Sequence, residues 1–486
     1  MNGPLRRLAA VVTVLFASLL ASTTWVQFVD ADSLEKQPYN SRTLFREYGR
    51  ERGPLLVGSG TQIAESVPVD DQYKFLRRYP GGQVYSHITG FYSVVYGPTG
   101  MERAVGDLLS GTSDQLFYRR IGDLLTGQEA RGASVDLTID PKVQSAAWKA
   151  LGDRKGAVVA IEPKTGNILA MVSKPAYDPN LLATHDRKQA VAARKQLLED
   201  PDRPLEDRAI SSRLYPPGST FKIVTAAAAL SDGRWNPDSQ LDGPANLDLP
   251  QTSVGLPNFS PGPCAPGGKI SLTDALRISC NTAFGGLGLQ LGAPALSEQA
   301  QKFGFGQKLR IPLEVTPSTF PANANPPQTA QSAIGQFDVR VTPLQVAMVS
   351  AGIANGGVVM RPNLVKTVRS GEDLDVIDTP EPERLSEAVS SEVAAQLKAM
   401  MLEVVRNGTG TRAQIPGVDV AGKSGTAQQG EAGPPHAWFT AFAPADDPQV
   451  AVAVVIEDGG GLGDEASGGR LAAPVAQKVM RAVLDK

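Results

Sequence analysis

The longest uninterrupted apolar stretch lies near the N-terminus. Leu8–Val29 spans 22 residues without a charge, follows Arg6 and Arg7, and stops before Asp30. As a helix rising ~1.5 Å per residue it would measure about 33 Å, enough to cross a hydrocarbon core of about 30 Å. The two arginines favour the cytoplasmic side for residues 1–7. The pattern predicts an uncleaved signal-anchor over residues 8–29, with a cleavable signal peptide as the alternative.

The pattern after this stretch changes once more. Residues 30–138 are mixed, with frequent Gly and Pro, and short alternating runs such as Gln83–Thr89 predict strands. Val135–Asp140 then alternates like a strand, and Pro141–Leu151 has the spacing of an amphipathic helix. We therefore predict one domain over residues 30–138 and a second domain over residues 139–486, both outside the membrane.

The second domain shows a definite order of strands and helices. Gly156–Ile161 and Asn167–Val172 are apolar runs joined by a turn, which predicts a hairpin. Two more strands are predicted over Ala437–Phe442 and Val450–Glu457. The predicted helices are Ser219–Leu230, Ser271–Ser279, Thr342–Ala354, Ser390–Val405 and Ala472–Leu484. This order predicts one mixed sheet, flanked by helices, whose edges come from both ends of the domain.

Composition excludes several classes of function. The chain has 47 Lys and Arg against 50 Asp and Glu, a net charge of −3, so a basic nucleic-acid surface is not expected. Two cysteines and three histidines in 486 residues exclude a disulfide-stapled scaffold and a His-rich or multi-Cys metal centre. No metal site is predicted.

Three short motifs carry the candidate chemistry. Ser219–Lys222 opens a predicted helix, Ser279–Asn281 follows 60 residues later, and Lys423–Thr426 lies on a predicted strand that leads towards Ala437–Phe442. Serine and lysine three apart share one face of a helix. Each motif alone is a weak signal. Lys164-Thr165-Gly166, in the predicted hairpin turn, also matches the third motif but precedes the helix serine. The three motifs in order are far more specific.

These residue types suit acyl transfer through a serine ester. Ser219 would attack a carbonyl, and Lys222, with a pKa lowered by burial and a nearby cation, would take its proton. Ser279 would relay that proton, Asn281 would hold Lys222 and the substrate amide, and Lys423 would supply positive charge.

The third motif also has binding groups. Ser424 and Thr426, with Gly425 between them, would bind a substrate carboxylate. The backbone N–H groups of Ser219 and Thr426 would form an oxyanion hole. The structural alternatives are a solvated helix lysine at Lys222, a helix or turn cap at Asn281 and an ordinary strand-edge charge at Lys423.

A Ser–His–Asp site is a weaker interpretation of the sequence than the three-motif site. His436 stands at a strand start, no Gly-x-Ser-x-Gly elbow surrounds a candidate serine, and His87 and His185 are expected to be structural.

The two cysteines leave two possibilities open. Cys264 and Cys280 would lie in an oxidising compartment, and a bridge closing a loop of about 15 residues would be worth ~3 kcal/mol. The alternative is two buried free thiols. Because Cys280 lies between Ser279 and Asn281, a bridge would fix the segment that carries them, and reduction would loosen it.

The three motifs together resemble the signatures of the penicillin-binding protein and serine β-lactamase superfamily. The likeness continues outside the motifs, and the compact N-terminal domain looks most like actinobacterial members of class B. Stretches similar to class B penicillin-binding proteins are Arg52-Gly53, Tyr79-Pro80, Gly90-Phe91-Tyr92, Gly97, Gly100-Met101-Glu102, Leu137–Asp140 with Gln144, Glu162–Gly166, Gly335-Gln336, Val341–Gln345 and Ala354–Gly357.

The resemblance implies a mixed α/β fold: a transpeptidase domain over residues 139–486, with an antiparallel sheet flanked by helices, and an α+β pedestal over residues 30–138. It implies a D,D-transpeptidase that cross-links peptidoglycan stem peptides through a Ser219 acyl-enzyme, releases D-Ala and is acylated by β-lactams. A role in cell wall synthesis, cell shape and division would follow. No cofactor is implied, and the implied partner is a polytopic glycosyltransferase of the shape, elongation, division and sporulation family.

Two other classes of function compete with this one. A D,D-carboxypeptidase or a β-lactamase could use the same serine, but no Glu-x-x-Leu-Asn element lies between Asn281 and Lys423. A non-catalytic division scaffold or a penicillin sensor is the second rival. Residues 1–7 are too few for a cytoplasmic output domain, and a scaffold would tolerate loss of a motif, whereas all three are present.

Overall fold

The computed structural model describes residues 2–30, 45, 47–113, 131–371, 374–428, 433–463 and 466–485. The chain divides into two compact units, residues 1–51 with 67–76 and residues 52–66 with 77–486. Parts of the predicted N-terminal domain, residues 31–44, 46 and 114–130, lie outside the described residues.

The smaller unit begins with a long apolar helix. Helix α1 covers Asn2–Thr24 and continues as a π-helical turn over Trp25–Val29. It therefore begins six residues before the predicted apolar stretch. Gly3–Val29 is long and apolar enough to cross a membrane, and none of its most apolar part is buried.

The helices and strands have the following bounds. The remaining described α-helices are α2 (Ser86–Thr89), α3 (Gly100–Ala104), α4 (Gly106–Leu109), α5 (Pro141–Leu151), α6 (Asn180–Ala183), α7 (Arg187–Glu199), α8 (Lys222–Asp232), α9 (Leu272–Arg277), α10 (Asn281–Leu291), α11 (Ala293–Lys302), α12 (Pro326–Ala333), α13 (Pro343–Ala354), α14 (Ser391–Asn407), α15 (Gly468–Leu471) and α16 (Ala473–Leu484). The described strands are β1 (Leu55–Val57), β2 (Thr61–Pro68), β3 (Phe75–Arg78), β4 (Tyr92–Ser93), β5 (Gly97–Pro98), β6 (Ser134–Leu137), β7 (Gly156–Ile161), β8 (Ile168–Lys174), β9 (Gln240–Asp242), β10 (Asn246–Leu247), β11 (Leu256–Pro257), β12 (Lys269–Ser271), β13 (Val358–Met360), β14 (Val365–Arg369), β15 (Val376–Asp378), β16 (Arg384–Glu387), β17 (Ala421–Ala427), β18 (His436–Ala443) and β19 (Val450–Ile456).

A five-stranded sheet forms the centre of the larger unit. Its order is β17-β18-β19-β7-β8, so its edges come from both ends of the predicted second domain. Every neighbouring pair is antiparallel, with Gly156 opposite Ile456 in the β7–β19 pair. The pattern-based expectation of a mixed sheet is therefore wrong. Consecutive strands pair as hairpins, which are antiparallel by construction, and β7 enters beside β19 in the opposite direction.

Strand β7 shows how the sheet is covered on both faces. Val158 and Ala160 belong to one apolar cluster, whereas Ala157, Val159 and Ile161 belong to another. Helices α5 and α16 pack on the first face and α13 on the second. Because alternate side chains of a strand point to opposite faces, an unbroken apolar run is what a strand between two helical layers requires.

Helix α5 shows how local sequence sets an element. Asp140 caps it, and its side chain accepts hydrogen bonds from the N–H groups of Lys142 and Val143. Pro141 occupies the first helical position, where its missing N–H has no consequence. The helix predicted over Pro141–Leu151 is confirmed.

The strand predicted over Gln83–Thr89 is wrong. The segment forms a 3-10 turn, Gly82–Tyr85, followed by α2. Gly82 and Gly90, with φ of 50° and 65°, begin and end this helical stretch. The Ser86 hydroxyl donates to the Gln83 carbonyl at 3.1 Å, a local bond that competes with strand pairing.

A buried ion cluster joins strands and helices near β1. Glu102 accepts hydrogen bonds from Arg52 at 3.1 Å, from Arg77 at 2.6 Å and from Tyr79 at 3.3 Å. Burial alone would raise the pKa of Glu102, but the charges of Arg77 and Arg52 outweigh it and lower the pKa below its ordinary value. Removing Glu102 would leave the two buried arginines without their counter-charge, and breaking a buried ion pair in this way costs about 3–5 kcal/mol.

Candidate active site

Ser219 lies in a tight turn ahead of a buried helix. Gly218–Phe221 form a 3-10 turn and α8 begins at Lys222, so the helix predicted over Ser219–Leu230 starts one turn later than expected. Ser219 is half-buried, and Lys222 is fully buried. The unpaired N–H groups and the dipole at a helix start favour negative charge. The turn therefore places Ser219 at the positive end of α8.

The backbone on the N-terminal side of Ser219 is held from two sides. The Gly218 N–H donates to the Gly335 carbonyl at 2.9 Å, and Trp438 Nε1 donates to the Pro216 carbonyl at 3.1 Å. Gly218 has a φ of 53°, and a Cβ there would meet the Thr426 carbonyl oxygen at 2.5 Å. Only glycine lets the turn come this close to the third motif.

The second motif connects two helices. The helix predicted over Ser271–Ser279 ends at Arg277, and α10 begins at Asn281. Ser279 has a φ of 65°, in the left-handed region, which costs a residue other than glycine about 1–3 kcal/mol. The surrounding structure therefore holds Ser279 in a strained conformation at the point where the candidate chemistry needs it.

Cys264 and Cys280 are joined by a disulfide, with 5.9 Å between their Cα atoms. The bridge attaches the residue between Ser279 and Asn281 to the segment that precedes β12. The backbone of the second motif is thus covalently tied to a neighbouring segment.

Two lysine ammonium groups converge on Ser279. Lys222 Nζ donates to the Ser279 carbonyl at 2.7 Å and to Asn281 Oδ1 at 2.7 Å, and it lies 3.3 Å from Ser279 Oγ. Lys423, on β17, places its Nζ 3.0 Å from the same hydroxyl and 2.8 Å from the Ser424 carbonyl. The structure thereby brings the first, second and third motifs together at one hydroxyl.

Burial changes the protonation of both lysines. Burial is the main cause that lowers the pKa of Lys222 well below its ordinary value of 10.5, and the charge of Lys423 lowers it further. Burial also lowers the pKa of Lys423 to about 7. A neutral Lys222 next to a charged Lys423 is a suitable pair of base and electrostatic stabiliser.

The remaining residues of the third motif differ in their surroundings. The Ser424 hydroxyl is buried and donates to Thr409 Oγ1 at 2.6 Å, whereas Thr426 is partly exposed. Gly425 lies between them and faces the serine turn, where a Cβ would meet Thr220 Cγ2 at 2.9 Å. Thr426 is thus better placed than Ser424 to meet a substrate from solvent.

Sequence reasoning missed several neighbours of the site. Thr409 binds Ser424, the Phe284 ring lies 5.6 Å from Lys222 Nζ, and Asn258 binds α10. None of the three stands in a short motif, and no spacing signal marked Thr409 or Asn258. Phe284 follows Asn281 by three residues, and only that helical spacing indicated that the two side chains share a face.

Two of the histidines have structural contacts. His87 Nε2 lies 3.4 Å from the Pro175 carbonyl, and burial lowers its pKa to about 4. His436 Nδ1 accepts the Asp458 N–H at 3.3 Å, and its ring packs edge-on against Tyr215 at 5.3 Å. Within the described residues, no group of three or more His, Cys, Asp or Glu side chains could hold a metal ion.

Comparison with known families covers most of the chain. Residues 156–481 match the penicillin-binding protein transpeptidase domain, and residues 52–135 match the penicillin-binding protein A dimerisation domain. The chain therefore belongs to the penicillin-binding protein family of transpeptidase enzymes.

Individual relatives are similar over their full length. The peptidoglycan D,D-transpeptidase PbpA of Mycolicibacterium smegmatis is 47% identical, with 100% of this chain and 99% of the relative covered. PbpA of Mycobacterium tuberculosis is 44% identical over the same shares. The solved structure of M. tuberculosis penicillin-binding protein A as a ceftriaxone acyl-enzyme has a TM-score of 0.87 at 43% identity, covering 90% of this chain and 100% of that chain. The likeness to penicillin-binding protein A confirms the resemblance seen in the motifs.

Proposed function

We propose that this chain is a peptidoglycan D,D-transpeptidase that uses Ser219 as its nucleophile. The observation that carries the proposal is the convergence of Lys222 and Lys423 on the Ser279 hydroxyl, at 3.3 Å and 3.0 Å, next to the turn that holds Ser219. The relatives named D,D-transpeptidase, and the β-lactam acyl-enzymes of the M. tuberculosis protein, support it.

In the first half-reaction, Ser219 Oγ attacks the carbonyl carbon of the penultimate D-Ala of a donor stem peptide. Lys222, neutral because of its lowered pKa, takes the hydroxyl proton. The C–O bond of the ester forms and the C–N bond to terminal D-Ala breaks. The proton passes from Lys222 through the Ser279 hydroxyl to the leaving amine.

In the second half-reaction, an acceptor amine attacks the ester carbon. A new C–N bond forms, the bond to Ser219 breaks, and the proton of the amine returns to the serine. The backbone N–H groups of Ser219 and Thr426 would stabilise the oxyanion in both steps, and Thr426, with Gly425 and Ser424 behind it, would bind the substrate carboxylate. The same serine would open a β-lactam ring.

The cellular setting is part of the proposal. The N-terminal helix would serve as a single-pass anchor, with residues 1–7 cytoplasmic and the catalytic domain outside. The pedestal would span residues 30–138 and the transpeptidase domain residues 139–486, which the family matches over 52–135 and 156–481 support. A polytopic glycosyltransferase would be the partner, and the enzyme would act in cell shape and division.

A fluorescent penicillin tests the nucleophile in the full-length chain, solubilised in detergent. We expect stable labelling of the wild type and none of Ser219→Ala, because the alanine has no hydroxyl to acylate. Ser386→Ala is the matched control: Ser386 is half-buried on β16, where its hydroxyl donates to the Lys302 carbonyl, and this variant should label normally.

Other outcomes point to other functions. Rapid loss of the label would indicate a hydrolase, and a folded wild type that never labels would refute the enzyme and favour a scaffold. Donor and acceptor peptides then separate transfer from hydrolysis, since only a transpeptidase yields the cross-linked product.

A further inference from the structure

Asn258 binds the start of the helix that carries Asn281. Its Oδ1 accepts the backbone N–H groups of Asn281 and Thr282, each at 3.1 Å. Its Nδ2 donates to the carbonyls of Pro244 at 2.9 Å and Gly262 at 3.1 Å. Every polar group of this one amide is therefore used, and its orientation is fixed.

The two hydrogen bonds that Asn258 Oδ1 accepts replace a local helix cap. The first N–H groups of a helix are normally satisfied by an oxygen on the residue just before it. The residue before α10 is Cys280, whose sulfur is bridged to Cys264 and lies 3.4 Å from the Ala283 N–H. Sulfur is a weak acceptor. Asn258, 23 residues before Asn281, supplies the oxygen instead.

The neighbouring residue orients the Asn281 side chain. The Pro257 carbonyl accepts a hydrogen bond from Asn281 Nδ2 at 3.1 Å. With its backbone N–H on Asn258 and its Nδ2 on Pro257, Asn281 is left with Oδ1 directed at Lys222 Nζ, 2.7 Å away. The disulfide ties Cys280 covalently but leaves the orientation of this amide open.

We propose that Asn258 is a positioning residue of the active site, which acts through Asn281 to hold Lys222 beside Ser279. The proposal rests on the roles given above to Ser219 and Lys222. No part of it requires contact between Asn258 and substrate.

Loss of Asn258 has a specific chemical consequence. The groups that face Lys222 Nζ are the Ser279 carbonyl and hydroxyl, Asn281 Oδ1, the Phe284 ring and the charge of Lys423. If the start of α10 loosens, water reaches Lys222. Since burial is the main cause of its lowered pKa, hydration raises that pKa towards its ordinary value. A base with a higher pKa is neutral only at higher pH.

The test compares Asn258→Ala with Asn325→Ala in the full-length chain. Asn325 caps α12 through a bond from the Gln328 N–H to its Oδ1 at 3.0 Å, so both variants remove an asparagine oxygen that accepts a hydrogen bond from the start of a helix. The rate of acylation by a fluorescent penicillin is measured across pH, together with thermal unfolding.

We expect Asn258→Ala to acylate on the order of 10- to 100-fold more slowly at neutral pH, because small misplacements of catalytic groups have effects of that size. The acid side of its pH profile should move to higher pH. Asn325→Ala should keep the wild-type profile.

A folded Asn258→Ala variant with the wild-type acylation rate and pH profile would overturn the proposal. So would a loss of acylation rate that Asn325→Ala shows to the same extent while the pH profile stays unchanged. If Asn258→Ala does not fold, Asn258→Gln replaces it in the test, because it carries the same amide one methylene further out. Its acylation rate and pH profile are then compared with those of the wild type. Absence of labelling in the wild type would refute the proposed function, and this inference with it. Normal wild-type labelling separates the two failures.

Discussion

Two buried lysines meet at one serine hydroxyl and divide the proposed chemistry between them. Both are inaccessible to solvent, yet they differ in their neighbours: Lys222 binds the Ser279 carbonyl and Asn281, whereas Lys423 binds the Ser424 carbonyl. The charge of Lys423 lowers the pKa of Lys222, so one cation favours the neutral form of the other. The protonation states of the two lysines, rather than their identities alone, would set the pH range of the proposed reaction.

The charge of Lys423 predicts an alkaline limit of acylation. Its pKa of about 7 means that the charge is lost as the pH rises through that value, and the positive field at Ser279 is lost with it. Lys423→Arg should remove this alkaline decline, because a guanidinium stays charged, although the larger side chain lowers the maximal rate.

The measurement is the acylation rate of the full-length chain from weakly acid to alkaline pH. Lys398→Arg, at a partly exposed lysine paired with Asp446 at 3.1 Å, is the control and should leave the profile unchanged. An alkaline limb that persists in Lys423→Arg would show that another group causes it.

At the scale of elements, the site depends on how closely β17 approaches the serine turn. Gly425 makes this approach possible, since a Cβ there would meet Thr220 Cγ2 at 2.9 Å, the Trp438 Cβ at 3.0 Å and the Pro217 carbonyl oxygen at 3.1 Å. The register of β17 on β18 pairs Gly425 with Trp438, so the strand cannot slide to avoid the contact.

Gly425→Ala should therefore separate the turn from the strand. We expect a loss of about 1–3 kcal/mol in stability from overpacking and a clear loss of acylation rate in the protein that still folds. Gly286→Ala is the matched control, because its Cβ would meet nothing within 4 Å and α10 gains a better helix former, worth about 1 kcal/mol. Thermal unfolding and penicillin labelling measure both. Wild-type labelling by Gly425→Ala would contradict the close fit.

At the scale of the molecule, the central sheet requires segments far apart in the chain. Strand β7 pairs with β19, with Gly156 opposite Ile456, and β8 pairs with β7. Helix α16 covers the face opposite α13. Buried hydrogen bonds also connect distant segments. Glu457 accepts them from Arg208 at 3.0 Å and from the Tyr215 hydroxyl at 2.5 Å. The segment leading to Ser219 is thus fixed by the end of β19.

Deletion of residues 472–486 should prevent folding. It removes Val475, Val479, Met480 and Val483, all buried in one cluster. Each such side chain contributes about 1.5–3 kcal/mol, and four together approach the stability of a typical domain. We expect no cooperative unfolding and no penicillin labelling. Deletion of residues 485–486 is the control, and a truncated chain that unfolds and labels like the wild type would contradict the prediction.

The sequence alone determined the local features of this protein. The uncharged run before Asp30, the capped helix after Asp140 and the apolar β7–β8 hairpin were predictable because each depends on residues close together in the chain. The order of the three motifs likewise indicated acyl transfer, since serine and lysine at helical spacing already share a face.

The tertiary structure decided what depends on distant partners. The antiparallel direction of β7 beside β19, which the family resemblance implied, differs from the mixed sheet that the residue pattern predicted. The turn at Gln83–Thr89 differs from the predicted strand, and in both cases pairing and packing overrode local pattern. The convergence of both lysines on Ser279, and the cap that Asn258 gives α10, join residues 23 to 144 positions apart. The lowered pKa values of Lys222 and Lys423 follow mainly from burial, and burial is a property of the folded chain.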